Sequence, residues 1–275
     1  MERSEFRWSG GHAYDGFVGR WSRLVAAEFI PWLSVSTGAT WIDVGCGTGE
    51  LTRAILRIAA PSKVVSVDPS EDYLEHARAS TPDPRVEFSR GTDQDVRSLD
   101  VAADAVVSGL VLNFVPDAVR ALRAAAETTT PGGLIAAYVW DYADGMAMLR
   151  HFWDAAVEED AAARSKDEGV RFPLCAPGTL NSAFESAGLS AVVTRPIEVT
   201  DTYADFEEYW TPFLSGSAPA PGYLASLPAE RQARLREMLR KRLPIATDGS
   251  ITLTCRAWAV RGRPLLQATP LDASS

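Results

Sequence analysis

Five short apolar runs punctuate residues 40–140: TWIDVG (40–45), KVVSVD (63–68), RVEFSR (85–90), DAVVSGLV (104–111) and GLIAAYVW (133–140). Most lack the strict in–out alternation of a sheet with one wet face, so they read as strands buried on both sides. Between them Leu51, Ala54, Ile55 and Ile58 mark one face of a helix, and Val115, Val119 and Leu122 mark part of another. Strands alternating with helices predict a parallel sheet covered on both faces. The punctuation agrees: Ser70 is placed to cap a helix whose first turn carries Glu71 and Asp72, and PGG at 131–133 supplies a break before the fifth strand. Further on, TLNSAFESAGL (179–189) reads as a short helix with Leu180, Ala183, Phe184 and Ala187 inward and Gly188 at its end. AVVTRPIEVT (191–200) and SITLTCRAWAV (250–260) read as two late strands, which bring the expected sheet to seven.

The remainder of the 275 residues is organised around that core. The expected division is an N-terminal helical cap segment (1–37), an α/β core (38–142), a cap insertion (143–178), a continuation of the core (179–200), a second cap insertion (201–247), a final core strand (248–264) and a flexible tail (265–275). The cap segments concentrate aromatic residues, among them Trp21, Trp140 at the core border, Trp153, Tyr209, Trp210 and Phe213. They can wall an apolar substrate or form a core of the cap's own. With 46% hydrophobic residues there is material for one main core. No run approaches the roughly 18 apolar residues needed to cross a bilayer, and the N-terminal stretch does not resemble a signal peptide, so the expected location is cytoplasmic, without membrane attachment. Cys46, Cys175 and Cys255 are odd in number and scattered, which suggests neither a disulfide framework nor a metal site.

A net charge of −9 argues against nucleic acid as a partner, because nonspecific affinity for a phosphate backbone rests on clustered Lys and Arg. RQARLREMLRKRL (231–243) is the exception, with six basic side chains against one Glu and Leu235, Met238, Leu239 and Leu243 at helical spacing. Its basic face is either solvated or a docking surface for an anionic partner.

The first strand runs into WIDVGCGTGE (41–50), with glycines at 45, 47 and 49. A strand that enters a helix through such a turn leaves backbone N–H groups free to face a ligand. A P-loop needs Lys and then Ser or Thr after its last Gly, but Glu50 and Leu51 stand there. The dinucleotide fingerprint G-x-G-x-x-G also fails, since Glu50 occupies its last glycine. The carboxylates of Asp43 and Glu50 would further repel a pyrophosphate. Asp68 ends the second strand, 25 residues after Asp43 (68 − 43), where a carboxylate can accept hydrogen bonds from both hydroxyls of a ribose. A nucleoside without phosphates fits this combination.

WIDVGCGTGELT, VVSVDPSEDYLEHAR, VEFSRGTDQDV, DAVVSGLVLNFVPD and PGGLIAAYVW, in that order, resemble the successive motifs of class I S-adenosylmethionine-dependent methyltransferases, and ITLTCRAWAV extends the likeness over most of residues 38–260. The resemblance implies a Rossmann-like α/β fold, a seven-stranded, mostly parallel sheet with helices on both faces and a helical aromatic cap, and S-adenosyl-L-methionine as cofactor. It implies that Gly45, Cys46, Gly47 and Gly49 bracket the methionine part, that Asp43 orients the turn or the amino group, that Asp68 takes the ribose hydroxyls, and that Pro69 and Ser70 flank the adenine. Relatives often carry an acid directly after the position of Gly91; here Thr92 intervenes, leaving Asp93 and Gln94 as candidates for the adenine amino group. Ser108, Gly109 and Leu110 pass beneath the cofactor. Asn113 stands where relatives often have His. AYDGFVGRWS (13–22) resembles a segment that closes over the cofactor, which makes Tyr14 a lid contact and Arg20 a partner of the cofactor carboxylate.

Methyl transfer from a sulfonium is an in-line displacement that requires alignment more than a reactive side chain. A base is needed only if the acceptor loses a proton. His12, Asp141 and His151 are the candidates, with Tyr142 beside the second, whereas His76 reads as a surface residue and Cys46 as small packing. The expected acceptor is a small molecule. The alternatives are a protein or nucleic-acid methyltransferase that docks through residues 231–243, and a regulatory protein that binds S-adenosylmethionine without turnover. Oligomeric state is left open.

Overall fold

A computed structural model describes residues 18–216 and 218–265. Its centre is a seven-stranded sheet of β1 (Thr40–Val44), β2 (Lys63–Asp68), β3 (Val86–Arg90), β4 (Ala103–Gly109), β5 (Thr129–Trp140), β6 (Leu189–Tyr203) and β7 (Ile251–Pro264), in the order β3-β2-β1-β4-β5-β7-β6. The first five pair in parallel, for example Asp43 with Ser66 and Ile42 with Val106. β7 runs antiparallel between β5 and β6. Such unalternated strands bury both faces: Trp41, Ile42 and Asp43 are each fully covered. The order reverses at β1 and β4, and the crevice outside the carboxyl ends of those two strands is where this topology places a ligand. No helix among the described residues is long and apolar enough to cross a membrane.

Two strand ends differ from the sequence expectation. The Pro131-Gly132-Gly133 segment lies inside β5: pairing jumps from Ala103–Thr129 to Ala105–Leu134, so the break is absorbed as an irregularity within the ladder. Gly133 suits that crossing, because a Cβ there would meet Thr129 Cγ2 at 2.6 Å and the Asp104 carbonyl at 2.8 Å. β6 and β7 outrun their apolar cores because each completes the other's ladder from Leu189–Pro264 to Tyr203–Ile251.

Helices α1 (Arg20–Leu33), α2 (Glu50–Ile58), α3 (Glu71–Ser80) and α4 (Ala118–Thr128) cover the sheet. α1 packs on α2, β6 and β7, burying Trp21, Val25, Ala26, Phe29, Ile30 and Leu33, with Phe29 set edge-on against Tyr138 of β5 at 4.8 Å, and it touches the cap through Arg20 and Glu208. Residues 1–17, which include Tyr14 and His12, and the tail from 266 lie outside the described residues.

Helices of the two insertions pack together: α5 (Ala147–Glu159) and the short α6 (Glu168–Arg171) come from the first, and α8 (Phe206–Trp210), α9 (Pro219–Ser226) and α10 (Ala229–Arg242) from the second, while α7 (Pro177–Ser186) packs on β6, β7 and α4. α5 packs on α9 and α10. The cap aromatics form its own core: Phe152 stacks on Phe213 at 4.8 Å and 9°, Trp153 lies 5.4 Å from Tyr223, and Tyr209 lies 5.3 Å from Phe213.

The arginines of α10 are paired with acids of the cap. Arg231 pairs with Glu159 at 3.1 Å and Asp160 at 3.0 Å, Arg240 with Glu207 at 3.0 Å, and Arg242 with Glu158. Arg236 reaches Glu207 as well, and the Arg240 guanidinium lies 4.1 Å over the Phe206 ring. The arginines thus close the cap against acids of α5 and α8. The sequence could not show this, because the partners lie up to 84 residues away.

Candidate functional site

At the switch point the chain leaves a cleft of about 340 Å³, within the roughly 300–1,000 Å³ usual for small-molecule sites. β1 delivers the glycine turn to it. Gly45, Gly47 and Gly49 all have positive φ (+75°, +53° and +89°), a conformation costly for any residue with a Cβ. At Gly45 space decides too, since a Cβ would lie 2.6 Å from both methyls of Val111. The turn is pinned to β2, with Gly45 N–H donating to the Val67 carbonyl at 2.7 Å and Cys46 N–H to the same oxygen at 3.1 Å. Gly45, Cys46, Gly47, Thr48, Glu50 and Leu51 line one wall. Gly49 does not border the cleft; it starts α2, packed toward Arg53 and Ala77.

Asp68 stands at the tip of β2, facing the cleft with 7% exposure. Its carboxylate accepts from Gly47 N–H at 2.9 Å and from Ser70 N–H at 2.8 Å, so one side chain fixes both the glycine turn and the start of α3. Burial raises its pKa from the usual carboxylate range, opposed by those two N–H donors. Each oxygen keeps a lone pair for a further donor. Pro69, Ser70 and Tyr73 continue the same wall, with Ser70 capping α3 as expected: its Oγ accepts from Tyr73 N–H at 3.4 Å.

The floor is made by Gly109, Leu110, Val111 and Tyr138. Gly109 is required by packing, since a Cβ would fall 2.6 Å from the Tyr138 hydroxyl oxygen. Leu110 holds φ +62° and donates its N–H to the Tyr138 carbonyl at 2.8 Å, a strained geometry of the kind that concentrates at ligand sites. Ser22 of α1 and Phe114 complete the rim.

Several expected contacts lie elsewhere. Asp43 is fully buried beneath the turn, where Thr52 Oγ1 meets its Oδ2 at 2.7 Å and Ser66 Oγ at 2.8 Å. Burial first, and the Asp68 charge after it, push Asp43 up to about 7. It supports the turn from below and faces no ligand, so it has no part in repelling a phosphate. Glu50 does line the cleft, but its charge is shared with Arg53 and with Arg23 at 3.6 Å. Arg20 is corrected outright: it is engaged by Asp201 at 2.5 Å, Glu208 at 2.8 Å and the Thr202 carbonyl at 3.0 Å, with its guanidinium 4.4 Å over Tyr203. It ties α1 to β6 and borders no part of the cleft. Ser108 donates to the Val44 carbonyl at 2.9 Å and borders, with Asp93, a separate gap of about 40 Å³ under the sheet edge. Gln94 contacts Asp93, and neither reaches the main cleft.

The candidate bases fare no better. Asp141 is buried at the end of β5 and holds Arg256 at 2.7 Å, which closes the turn leading to α5. His151 sits on α5 near Arg242 and Asp154; burial first and Arg242 next lower its pKa, and it borders none of the gaps at the cleft. Cys46 lines the cleft, but burial, with Asp43 and Asp68 nearby, raises its thiol far out of the reactive range, consistent with packing. No group of three potential metal ligands occurs among the described residues.

Sequence reasoning missed Ser22, Thr48, Leu51, Tyr73, Val111, Phe114 and Tyr138. Tyr73 was reachable, being in the first turn after the strand tip. Tyr138 was not, because its approach to Gly109 depends on the β4–β5 register, which pairs the two. Also missed was Glu168, which opens α6 with 2% exposure and borders a gap of about 20 Å³ on the cap side of the cleft.

Comparison with known proteins falls on the same residues. Residues 42–137 match the model of a family described as "Methyltransferase domain". The chain is 27% identical over 212 residues to trans-aconitate 2-methyltransferase of Deinococcus radiodurans, covering 76% of this chain and 80% of that protein. It is 32% identical over 106 residues to 2-phytyl-1,4-naphtoquinone methyltransferase of Thermosynechococcus vestitus, a match spanning 38% of this chain and 47% of that one. In fold it is similar to phosphoethanolamine N-methyltransferase 2 of Haemonchus contortus, solved in complex with S-adenosyl-L-methionine, with TM-score 0.55 and 15% identity over 95% of this chain and 58% of that one.

Proposed function

We propose that the chain, whose residues 42–137 match a methyltransferase domain, is a class I S-adenosylmethionine-dependent methyltransferase that methylates a small molecule meeting the cofactor beneath the helical cap. The observation that carries this reading is that a gap under the cap adjoins the cleft at the β1/β4 switch point, with Leu110 and Phe114 lining both. An acceptor entering there is enclosed, as a metabolite requires and a nucleic-acid duplex does not permit. The name of the relative that matches over most of both chains, a methyltransferase of a small carboxylic acid, supports the same class.

The cleft residues fit S-adenosylmethionine on two observations. A carboxylate with spare acceptor capacity, suited to ribose hydroxyls, faces the cleft, and the glycine turn beside it lets backbone approach a ligand closely. In this reading the turn Gly45–Thr48 with Leu51 holds the methionine part, Asp68 holds the ribose hydroxyls, Pro69, Ser70 and Tyr73 flank the adenine, and Gly109 to Val111 with Tyr138 form the floor. When bound, the cofactor supplies a sulfonium methyl for in-line displacement. The chain's own work is alignment in a dry site, and orientation of this kind can supply roughly 7–11 kcal/mol of a barrier.

The rival readings make different predictions. Because the arginines of α10 are paired with acids of the cap, no basic stripe is offered to a nucleic acid by that helix. The test is calorimetric titration with S-adenosylmethionine, followed by release of S-adenosylhomocysteine from panels of metabolites, tRNA and basic proteins. Turnover confined to metabolites is expected. Turnover only on tRNA or protein refutes the small-molecule reading, and tight binding with no turnover on any panel favours a regulatory role.

A further inference from the structure

The cap insertion contributes one buried ionisable group that borders the cap side of the cleft. Glu168 is 2% exposed and receives a single side-chain hydrogen bond, from the Trp153 indole N–H. The nearby cation, Arg150, is already taken by Asp167 in a two-pronged pair, one prong at 2.9 Å. Burial pushes Glu168 up to about 7, with Asp167 adding to the rise, and its own backbone N–H, the Trp153 bond and Arg150 opposing it. A carboxyl kept out of water with a neutral donor and no ion pair of its own is costly, and a Gln would offer Trp153 the same acceptor with no charge to bury. Such groups concentrate where chemistry or recognition uses them.

Position supplies the use. Beside Glu168, the gap is walled by Leu110, Phe114, Trp140, Tyr142, Leu149 and Phe172. Leu110 and Phe114 also wall the main cleft, so the gap adjoins the cleft on the cap side. About 20 Å³ takes one group the size of a water molecule or a hydroxyl. The approach is aromatic: Phe114 meets Phe172 edge-on at 5.1 Å, Phe172 lies 5.6 Å from Tyr142, and Phe114 is 38% exposed. No Lys, Arg or His lines this gap among the described residues.

We propose that Glu168 selects the methyl acceptor by accepting a hydrogen bond from a hydroxyl or N–H on a planar, uncharged molecule whose ring lies against Phe114 and Phe172, and that it excludes polyanions. The inference rests on the methyltransferase reading and narrows its substrate class. It separates this chain from what the trans-aconitate relative's name denotes: a tricarboxylate would meet a carboxylate and four aromatic rings, with no cation among the described residues of the gap to receive it.

The experiment is calorimetry at pH 8, on the full chain saturated with S-adenosylhomocysteine, with three probes: 1-naphthol, 1-methoxynaphthalene and trans-aconitate. The wild-type chain is expected to bind 1-naphthol at least about tenfold more tightly than the methyl ether, which has no proton to donate, and to bind trans-aconitate more weakly than either. In Glu168→Gln, which keeps an acceptor for Trp153, the naphthol preference is expected to fall to about threefold or less, with S-adenosylhomocysteine affinity unchanged. Absence of naphthol binding, an equal preference in both proteins, or trans-aconitate binding as well as naphthol overturns the proposal. The wild-type comparison decides it even if the variant fails to fold. Absence of S-adenosylhomocysteine binding to the wild-type chain is a different result, and it removes the cofactor reading itself.

Discussion

Asp68→Ala gives the sharpest test of the site, because the observed role of the carboxylate and its proposed one can be separated. It pins the glycine turn through Gly47 N–H at 2.9 Å and the start of α3 through Ser70 N–H at 2.8 Å, and it stands where the ribose hydroxyls of the cofactor would donate. Hydrogen bonds to a charged group contribute about 1.5–3 kcal/mol, so removal is expected to weaken S-adenosylhomocysteine binding by roughly 10- to 150-fold. A loosened turn alone would also weaken binding. The two causes part in a double-mutant cycle with S-adenosylhomocysteine and its 2′-deoxy analogue, measured by calorimetry. If Asp68 holds the ribose, the wild-type chain prefers the hydroxylated ligand by about tenfold or more, and the Ala variant reduces that preference to within about threefold. An undiminished preference in Asp68→Ala refutes the ribose contact, whatever happens to overall affinity.

Asp43→Asn is expected to stabilise the fold at pH 8 by roughly 1–3 kcal/mol, read from chemical denaturation. Asp43 is raised to about 7, far above its unfolded value, so between about pH 4 and 7 the unfolded chain ionises first and stability falls as pH rises; the variant lacks that decline. A pH dependence identical to the wild type would count against a buried, proton-holding Asp43. Gly109→Ala forces a methyl into the 2.6 Å separation from the Tyr138 hydroxyl oxygen and is expected to cost about 1–3 kcal/mol while weakening cofactor binding; an unshifted Tm would mean that Tyr138 swings aside freely. Phe213→Ala removes a fully buried ring stacked on Phe152 and is expected to cost about 3–5 kcal/mol, with cofactor affinity at the distant cleft preserved in whatever folded protein remains. A large loss of affinity there would tie the cap core to the cofactor site.

The sequence by itself determined the sheet and its ligand-facing edge, because those signals are local. Unalternated apolar strands such as KVVSVD state that both faces are covered, the glycine turn states its own dihedrals, and an acid at a strand tip followed by Ser70 states both a cap and a ligand-facing carboxylate. What tertiary structure decided is which side chains those local features meet. Arg20 has the right chemistry for a carboxylate, but it found Asp201 and Glu208, 181 and 188 residues away, on β6 and α8. The arginines of α10 read as a basic face until the cap folded acids of α5 and α8 onto them. Asp43 and Asp68 look equivalent as acids at the ends of neighbouring strands. The end of β1 is roofed by its own turn and Asp43 is sealed beneath it, while the tip of β2 opens into the cleft. Glu168 carries no sequence signal at all. Its burial beside the cleft arises only from the packing of two insertions against β5, and a single chain read in order does not encode that encounter in any spacing.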